Sequence, residues 1–296
     1  MKRILVIKLG ALGDFVLAFG PFAAIRAHHP DDHIVLLTTA PFAALAQASP
    51  WFDAIQVDRR PAWWNLRGLV ALRRSLRGFD FVYDLQTSGR SGHYHRIAGR
   101  PPWSGIARGA SHPDADPARN RLHTIDRQRG QLAAAGIDAM PPPNLAWLLA
   151  SGPVLPAPYA LLVPGAAPHR PGKRWPANAF GALARLLVDR GVQPVVVGAA
   201  ADGRLATQVI AVCPAALDLT GRTSLLDLGG LAARAAFAVG NDTGPMHLAA
   251  AAGCGCVVLF GGDSDPALTA PRGRVTVLRE EVLADLPVAR VAAALG

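Results

Sequence analysis

The chain has 296 residues, 51% of them hydrophobic and only 17% charged, with a formal net charge of +9. That balance excludes a disordered chain and fits two packed domains of ordinary size. No apolar run reaches the ~18 residues of a membrane span, and the signal-like start, Met1-Lys2-Arg3 and 4–9, is interrupted by Lys8 and Asp14 with no small-residue cleavage site after it.

Strand and helix signals alternate through the first half. Residues 4–9 read as a buried strand, 15–27 as a helix and 34–38 as the next strand. Helix is expected over 41–48 and 66–77, and strand over 55–57 and 81–85. Alternation at this spacing predicts a parallel sheet covered on both faces. Residues 87–121, rich in Gly, Ser, Arg, His and Pro, read as functional loop, with helix resuming over 122–135.

Pro141-Pro142-Pro143, Pro153, Pro156 and Pro158 mark an interdomain linker, so domains are expected at 1–150 and 151–296. Beyond it the alternation restarts. Strands are expected at 159–163, 192–197, 217–219, 236–239 and 257–260, and helices at 177–190, 204–212, 225–233 and 245–252. The final helix is allowed to return to the N-terminal domain. The fold class is α/β: two doubly wound, Rossmann-like domains facing a central cleft, with ligands at the carboxyl ends of the strands.

The turns carry the chemistry. The first is Lys8-Leu9-Gly10-Ala11-Leu12-Gly13-Asp14. Gly10 and Gly13 let the backbone run tightly and let a ligand approach, although the spacing is not the dinucleotide fingerprint. Asp14 reads either as a helix N-cap or as a carboxylate placed to take a proton from an attacking hydroxyl. The second-domain turn opens with Pro164-Gly165-Ala166-Ala167, and Lys173-Arg174 stands just before a helix start, where a cation pair and the helix dipole suit a diphosphate. Asp202, Thr223 and Ser224 are candidate caps.

Gly240-Asn241-Asp242-Thr243-Gly244-Pro245-Met246-His247 is the most informative stretch. A strand enters a glycine-containing turn and leaves through a helix N-terminus, whose free N–H groups favour a phosphate. Asp242 can accept hydrogen bonds from sugar hydroxyls, and an ordinary capped helix is the plain alternative. Asp263-Ser264-Asp265 spells Asp-x-Asp but sits between Gly261-Gly262 and Pro266 as a turn would. His93 and His95, two residues apart in a polar stretch, read as surface rather than as metal ligands; Arg90, Arg96, Arg100 and Arg108 beside them suit an anionic acceptor or plain solvated charge.

Charge is uneven. Residues 1–150 hold 18 Lys and Arg against 11 acids, and 151–296 hold 12 against 10. The first half therefore expects an anionic partner: nucleic acid, a membrane surface or a phosphorylated acceptor. Lysine occurs only at Lys2, Lys8 and Lys173, which singles out Lys8 and Lys173 as positions needing a compact point charge. Cys213, Cys254 and Cys256 form neither a disulfide framework nor a metal spacing and read as small buried residues.

Taken together, residues 4–14, the turn from Pro164-Gly165 to Lys173-Arg174-Trp175-Pro176, and Asn241-Asp242-Thr243-Gly244-Pro245-Met246-His247-Leu248 resemble glycosyltransferase family 9, the ADP-heptose:lipopolysaccharide heptosyltransferase family. Residues 219–224, Leu259-Phe260-Gly261 and Asp265-Pro266 resemble it too. The resemblance implies a GT-B fold, with the acceptor on the N-terminal domain and the sugar nucleotide on the C-terminal one. It implies inverting single displacement with no metal-binding Asp-x-Asp and no cofactor, the nucleotide sugar being a co-substrate. Carried over by position, Asp14 is the catalytic base, beside a loop of Lys8, Gly10 and Gly13. Lys173 holds the donor diphosphate, Asp242 the sugar hydroxyls, and Thr243 and Gly244 a phosphate; Arg174 and His247 belong to the same donor set. Asp202 stands where family members often carry a glutamate for the ribose, and Ala166-Ala167 lack the hydroxyls that some members place there.

The expected protein is a cytoplasmic heptosyltransferase-like enzyme, peripheral on the inner membrane face, acting on a lipopolysaccharide-core or related lipid-linked anionic glycan held by Arg90 and Arg96, with no nucleic-acid partner. Two alternatives stand beside it: an epimerase-like GT-B enzyme acting on the donor alone, and a non-catalytic protein binding an anionic glycan.

Overall fold

The computed structural model describes residues 1–167 and 170–295, which form two compact units, 1–147 and 148–296. The first contains β1 (Arg3–Ile7), β2 (His33–Thr38), β3 (Ala54–Val57), β4 (Phe81–Asp84), β5 (Trp103–Gly105) and β6 (His112–Pro113), in the order β3-β2-β1-β4-β5-β6. The second contains β7 (Tyr159–Val163), β8 (Gln193–Val196), β9 (Leu217–Asp218), β10 (Phe237–Asn241), β11 (Cys256–Phe260) and β12 (Val275–Arg279), in the order β12-β11-β10-β7-β8-β9. Every pairing is parallel. Each chain segment thus winds outward on one side of its first strand and then returns to build the other. The order reverses between β1 and β4, and again between β7 and β10, and ligands of such sheets bind at these switch points.

The periodicity explains the layers. Leu5 and Ile7 on one face of β1 pack with Leu37, Val82, Leu72, Leu76, Tyr94 and Trp103. Ile4 and Val6, also fully buried, take the opposite face, as alternation along a strand requires. In the second unit Trp175, Phe180, Leu183 and Val209 form a core with strand residues Leu162, Val196 and Leu259. The terminal helix Val288–Ala293 adds Val291 and Ala292 to that same core and so belongs to the second unit. The cysteines are buried thiols. Among the described residues no helix is long and apolar enough to cross a membrane.

Two expectations are corrected. The helix expected over 15–27 is two, Leu12–Leu17 and Phe19–His28, because Pro21 has no N–H for the carbonyl four residues back and its ring crowds that turn. The segment 87–121 is not loop throughout: it contains the helix Gly89–Ala98 as well as β5 and β6. Ser88 and Ser91 close a capping box at the start of that helix, and Gly99 ends it in the left-handed conformation. Its buried residues Ser91, Tyr94, His95 and Ala98 keep helical spacing, but their mixed polarity hides the stripe from a hydrophobicity reading.

Candidate active site

At the first switch point the backbone leaves β1 through Lys8. Lys8 is only 4% exposed, and its Nζ donates to the carbonyl of Leu85, just past β4, at 3.0 Å. Leu9 N–H donates to Gln86 Oε1 at 2.8 Å, so the two neighbouring turns are tied together. Gly10 has φ +119°, and a Cβ there would meet the Phe42 ring at 2.6 Å, so the backbone lies flat on that ring. Gly13 is not a turn residue: it lies inside the helix Leu12–Leu17. Asp14 is the third residue of that helix, whose N-cap is Ala11, so the capping explanation for Asp14 fails.

Lys8 and Asp14 line one cavity of about 120 Å³ together with Gln86, Thr87, Arg119 and Arg127. Burial lowers the Lys8 ammonium to about 8, against the opposing pull of Asp14 and Asp84. Burial likewise raises the fully buried Asp84 carboxyl to about 6, although the Gln86 and Thr87 N–H groups donate to its Oδ1 at 3.1 Å. Arg127 is pushed below its ordinary value by burial first and by Arg119 second.

Arg119 and Arg127 line this cavity, whereas Arg90 and Arg96, the acceptor candidates, do not. Arg90 is engaged elsewhere: its Nη1 donates to Pro61 O at 3.4 Å, and its guanidinium lies 5.0 Å from the Trp63 ring centroid. Arg96 lines two grooves beside the helix Gly89–Ala98. Arg127 stands on a helix with a polar face. Thr124, Arg127, Gln128 and Gln131 fall at helical spacing, and Thr124, Gln128 and Gln131 are buried. A buried polar face on a helix is more informative than an exposed basic one. Gln131 Nε2 donates to the Asp84 carbonyl at 3.0 Å and fixes that face to β4.

The second switch point gathers the donor candidates. Lys173 Nζ and Asp242 Oδ2 form an ion pair at 2.5 Å, both side chains largely buried. Asn241, fully buried at the end of β10, holds the surrounding turns. Its Oδ1 accepts from Trp175 N–H and its Nδ2 donates to Pro164 O, each at 2.9 Å. Trp175 Nε1 in turn donates to Leu286 O at 2.9 Å. Asn241 has no expected role in the sequence, although a polar residue closing an apolar strand marks it.

Arg174 Nη2 donates to Ala166 O at 2.7 Å and so braces the Pro164–Gly165 turn. Asp202 accepts from Ala199 N–H at 3.0 Å, and its carboxylate fills the space beside Gly165, where an added Cβ would lie 2.7 Å from it. Asp202 therefore stands at the same switch point, where its side chain closes the Ala199–Asp202 turn but does not cap the helix Gly203–Val212. Thr243 is the extended N-cap of the helix Gly244–Ala251, yet its side chain makes no capping bond. Gly244 is the first helical residue, and Pro245 follows without an N–H to satisfy. His247 lies one turn in and is buried. Asp265 Oδ1 accepts from Ala267 N–H and caps a short helix, which accounts for the Asp-x-Asp match as a turn. Ser224 forms a capping box with Asp227.

Two doubly wound units, each with polar turns gathered at its switch point, define the GT-B class. The model of glycosyltransferase family 9 (heptosyltransferase) matches residues 69–282, and the chain belongs to that family. It is 32% identical over 115 residues to lipooligosaccharide heptosyltransferase 2 of Haemophilus influenzae, a match covering 37% of this chain and 33% of the relative. The matched part thus spans about a third of that relative's length. Among solved structures, the family 9 glycosyl transferase of Veillonella parvula superposes with a TM-score of 0.84 at 22% identity, over 99% of this chain and 95% of that one. The E. coli heptosyltransferase WaaC with ADP gives 0.82 at 23%, over 98% of each chain. These two likenesses show the fold.

Proposed function

We propose that the protein is an inverting glycosyltransferase that moves a heptose or related sugar from an ADP-heptose-like donor to a lipopolysaccharide-core or related envelope glycan. The observation that carries this reading is the Lys173–Asp242 pair held against a helix start at the second switch point. An ammonium has three donors, so Lys173 can bond Asp242 and still reach a diphosphate. As the diphosphate leaves, its growing charge is met by Lys173 and by the N–H groups of Thr243 and Gly244, already in place. Asp242 has a second oxygen for sugar hydroxyls. Asp202 takes the ribose, His247 backs the helix start, and Arg174 keeps the turn in shape.

The first unit carries the acceptor. Asp14 takes the proton from the attacking hydroxyl as that oxygen bonds the anomeric carbon and the bond to the diphosphate breaks. Buried Lys8 anchors the turn and holds positive charge near the Asp14 carboxylate. Arg119 and Arg127, with Arg90 and Arg96 further out, favour an anionic, lipid-linked acceptor. Such an acceptor places the enzyme on the inner face of the cytoplasmic membrane.

The test is release of ADP from ADP-heptose with and without a heptose-deficient lipopolysaccharide acceptor. Acceptor-dependent release with matching incorporation of sugar is expected. Release that needs no acceptor points to a donor-only enzyme, and binding without release points to a non-catalytic glycan-binding protein; either result overturns the proposal.

A further inference from the structure

The helix Leu66–Leu76 and the Trp63-Trp64 step before it have no part in either switch point. Leu72 and Leu76 on this helix are buried in the core, as an amphipathic helix requires. The outward side carries exposed arginines, Arg67, Arg73 and Arg74, but also large apolar residues. Trp64 is 85% exposed, Leu66 74% and Val70 50%. Leu66 and Val70 are one helical turn apart, so they share a stripe, and Trp63 and Trp64 extend it at the N-terminal end. A groove of about 760 Å³ runs along this stripe, with Trp63, Leu66, Leu69 and Val70 on its apolar wall. On the other side of the helix Gly89–Ala98 a second groove of about 670 Å³ is lined by Arg96, Arg100 and Arg108.

Charge around these grooves has a single sign. Residues 59–111 contain ten arginines and two acids, Asp80 and Asp84. Neither acid neutralises the patch: Asp80 Oδ2 accepts from the Arg3 N–H at 2.7 Å, and Asp84 is fully buried. Among the described residues no carboxylate forms an ion pair with Arg67, Arg73, Arg74 or Arg77 of the helix and its end. Exposed tryptophans before the helix and leucine beside unpaired arginines on it make a face of the kind that suits a lipid headgroup region. The apolar side chains enter the acyl boundary, the indole N–H stays at the wet level, and the guanidinium groups meet phosphates.

We propose that the face formed by Trp63, Trp64, Leu66, Val70 and the arginines of this helix docks on an anionic bilayer. The inference rests on the reading of the acceptor as lipid-linked and adds the surface that reaches the lipid. A second copy of the chain is a poor occupant, because an isologous contact would set Arg67, Arg73, Arg74 and Arg77 against the same four arginines. A single-stranded nucleic acid would use the arginines and the indoles but leaves Leu66 and Val70 without a purpose.

The test is co-sedimentation of the full chain with vesicles of 30% phosphatidylglycerol in phosphatidylcholine, and with phosphatidylcholine alone. The variants are W64S/L66S and R67E/R74E, all exposed positions, with thermal midpoints confirming the fold. Wild type is expected to bind the anionic vesicles at least tenfold more tightly than the neutral ones. Each variant is expected to lose at least tenfold, and 0.5 M salt is expected to weaken the wild type more than R67E/R74E. ADP release with a deacylated, water-soluble acceptor should be unchanged in both. The proposal is overturned if wild type stays in the supernatant, if the variants sediment like wild type, or if the variants lose binding to single-stranded RNA while vesicle binding is equal in all three. Loss of ADP release with vesicle binding intact breaks the enzymatic reading alone, so the two failures are distinguishable.

Discussion

The two switch points share a topology and differ in what they bury. In the first, Lys8 and Asp84 lie deep enough that desolvation moves both toward neutrality, and Lys8 is anchored on a backbone carbonyl rather than on a carboxylate. In the second, Lys173 and Asp242 pair directly in a shallower place, braced by Asn241 and Arg174. The same winding therefore builds one region of buried, desolvated charges and another of a directly paired ammonium and carboxylate, and the proposed function gives the first the proton acceptor and the second the leaving group. The difference lies in burial and pairing, not in strand order.

That division can be broken most sharply at Asp14. Replacing it by Asn should lower sugar transfer about 10²–10⁴-fold while ADP binding by calorimetry stays within a factor of two or so. Near-normal turnover would remove the first region's role as base. Next is Asp84→Asn, which tests the burial itself. The buried carboxyl is raised from its ordinary 3.8 to about 6, so the folded state holds its proton more tightly than the unfolded chain. Its favourable contribution is complete below about pH 4 and is lost as pH rises through 6, amounting to about 3 kcal/mol. Urea midpoints should thus show wild type losing stability relative to Asp84→Asn from pH 4 to 7; a constant difference would mean that Asp84 is not desolvated.

A third prediction addresses the second region. Lys173→Met removes a charge-assisted contact worth roughly 2–3 kcal/mol, so ADP affinity should fall about 30- to 150-fold. It also leaves Asp242 facing the diphosphate, and Lys173→Met/Asp242→Asn should therefore bind ADP more tightly than the single variant. Equal affinities would place the diphosphate away from the pair. The smallest effect is expected at Asn241→Ala. Losing its two buried hydrogen bonds should cost about 2 kcal/mol of unfolding free energy, with the first unit's behaviour unaffected. A single cooperative loss in both units would show that they do not unfold separately.

Much of this was legible in the chain. The alternation of strands with helices, the turns at Asp14, Lys173 and Asp242, and the Ser224 cap follow from local spacing, because backbone geometry and capping act over a few residues. The helix Gly89–Ala98 was missed where the sequence offered a cap and a closing glycine but no apolar stripe. The break before Phe19 was readable from Pro21. Arg119 and Arg127 were harder, because an arginine's partner depends on which surfaces the fold brings together.

What the sequence by itself determined was therefore the class of fold and the position of the polar turns that follow its strands, since both are encoded in periods of two and 3.6 residues and in single Gly, Pro and capping positions. Only the tertiary structure decided that Lys8 reaches Leu85 across 77 positions, and that Asn241 joins Trp175 and Pro164 across 66 and 77. The physical reason is that burial and charge pairing belong to packed surfaces, and packing places residues together without regard to their distance along the chain.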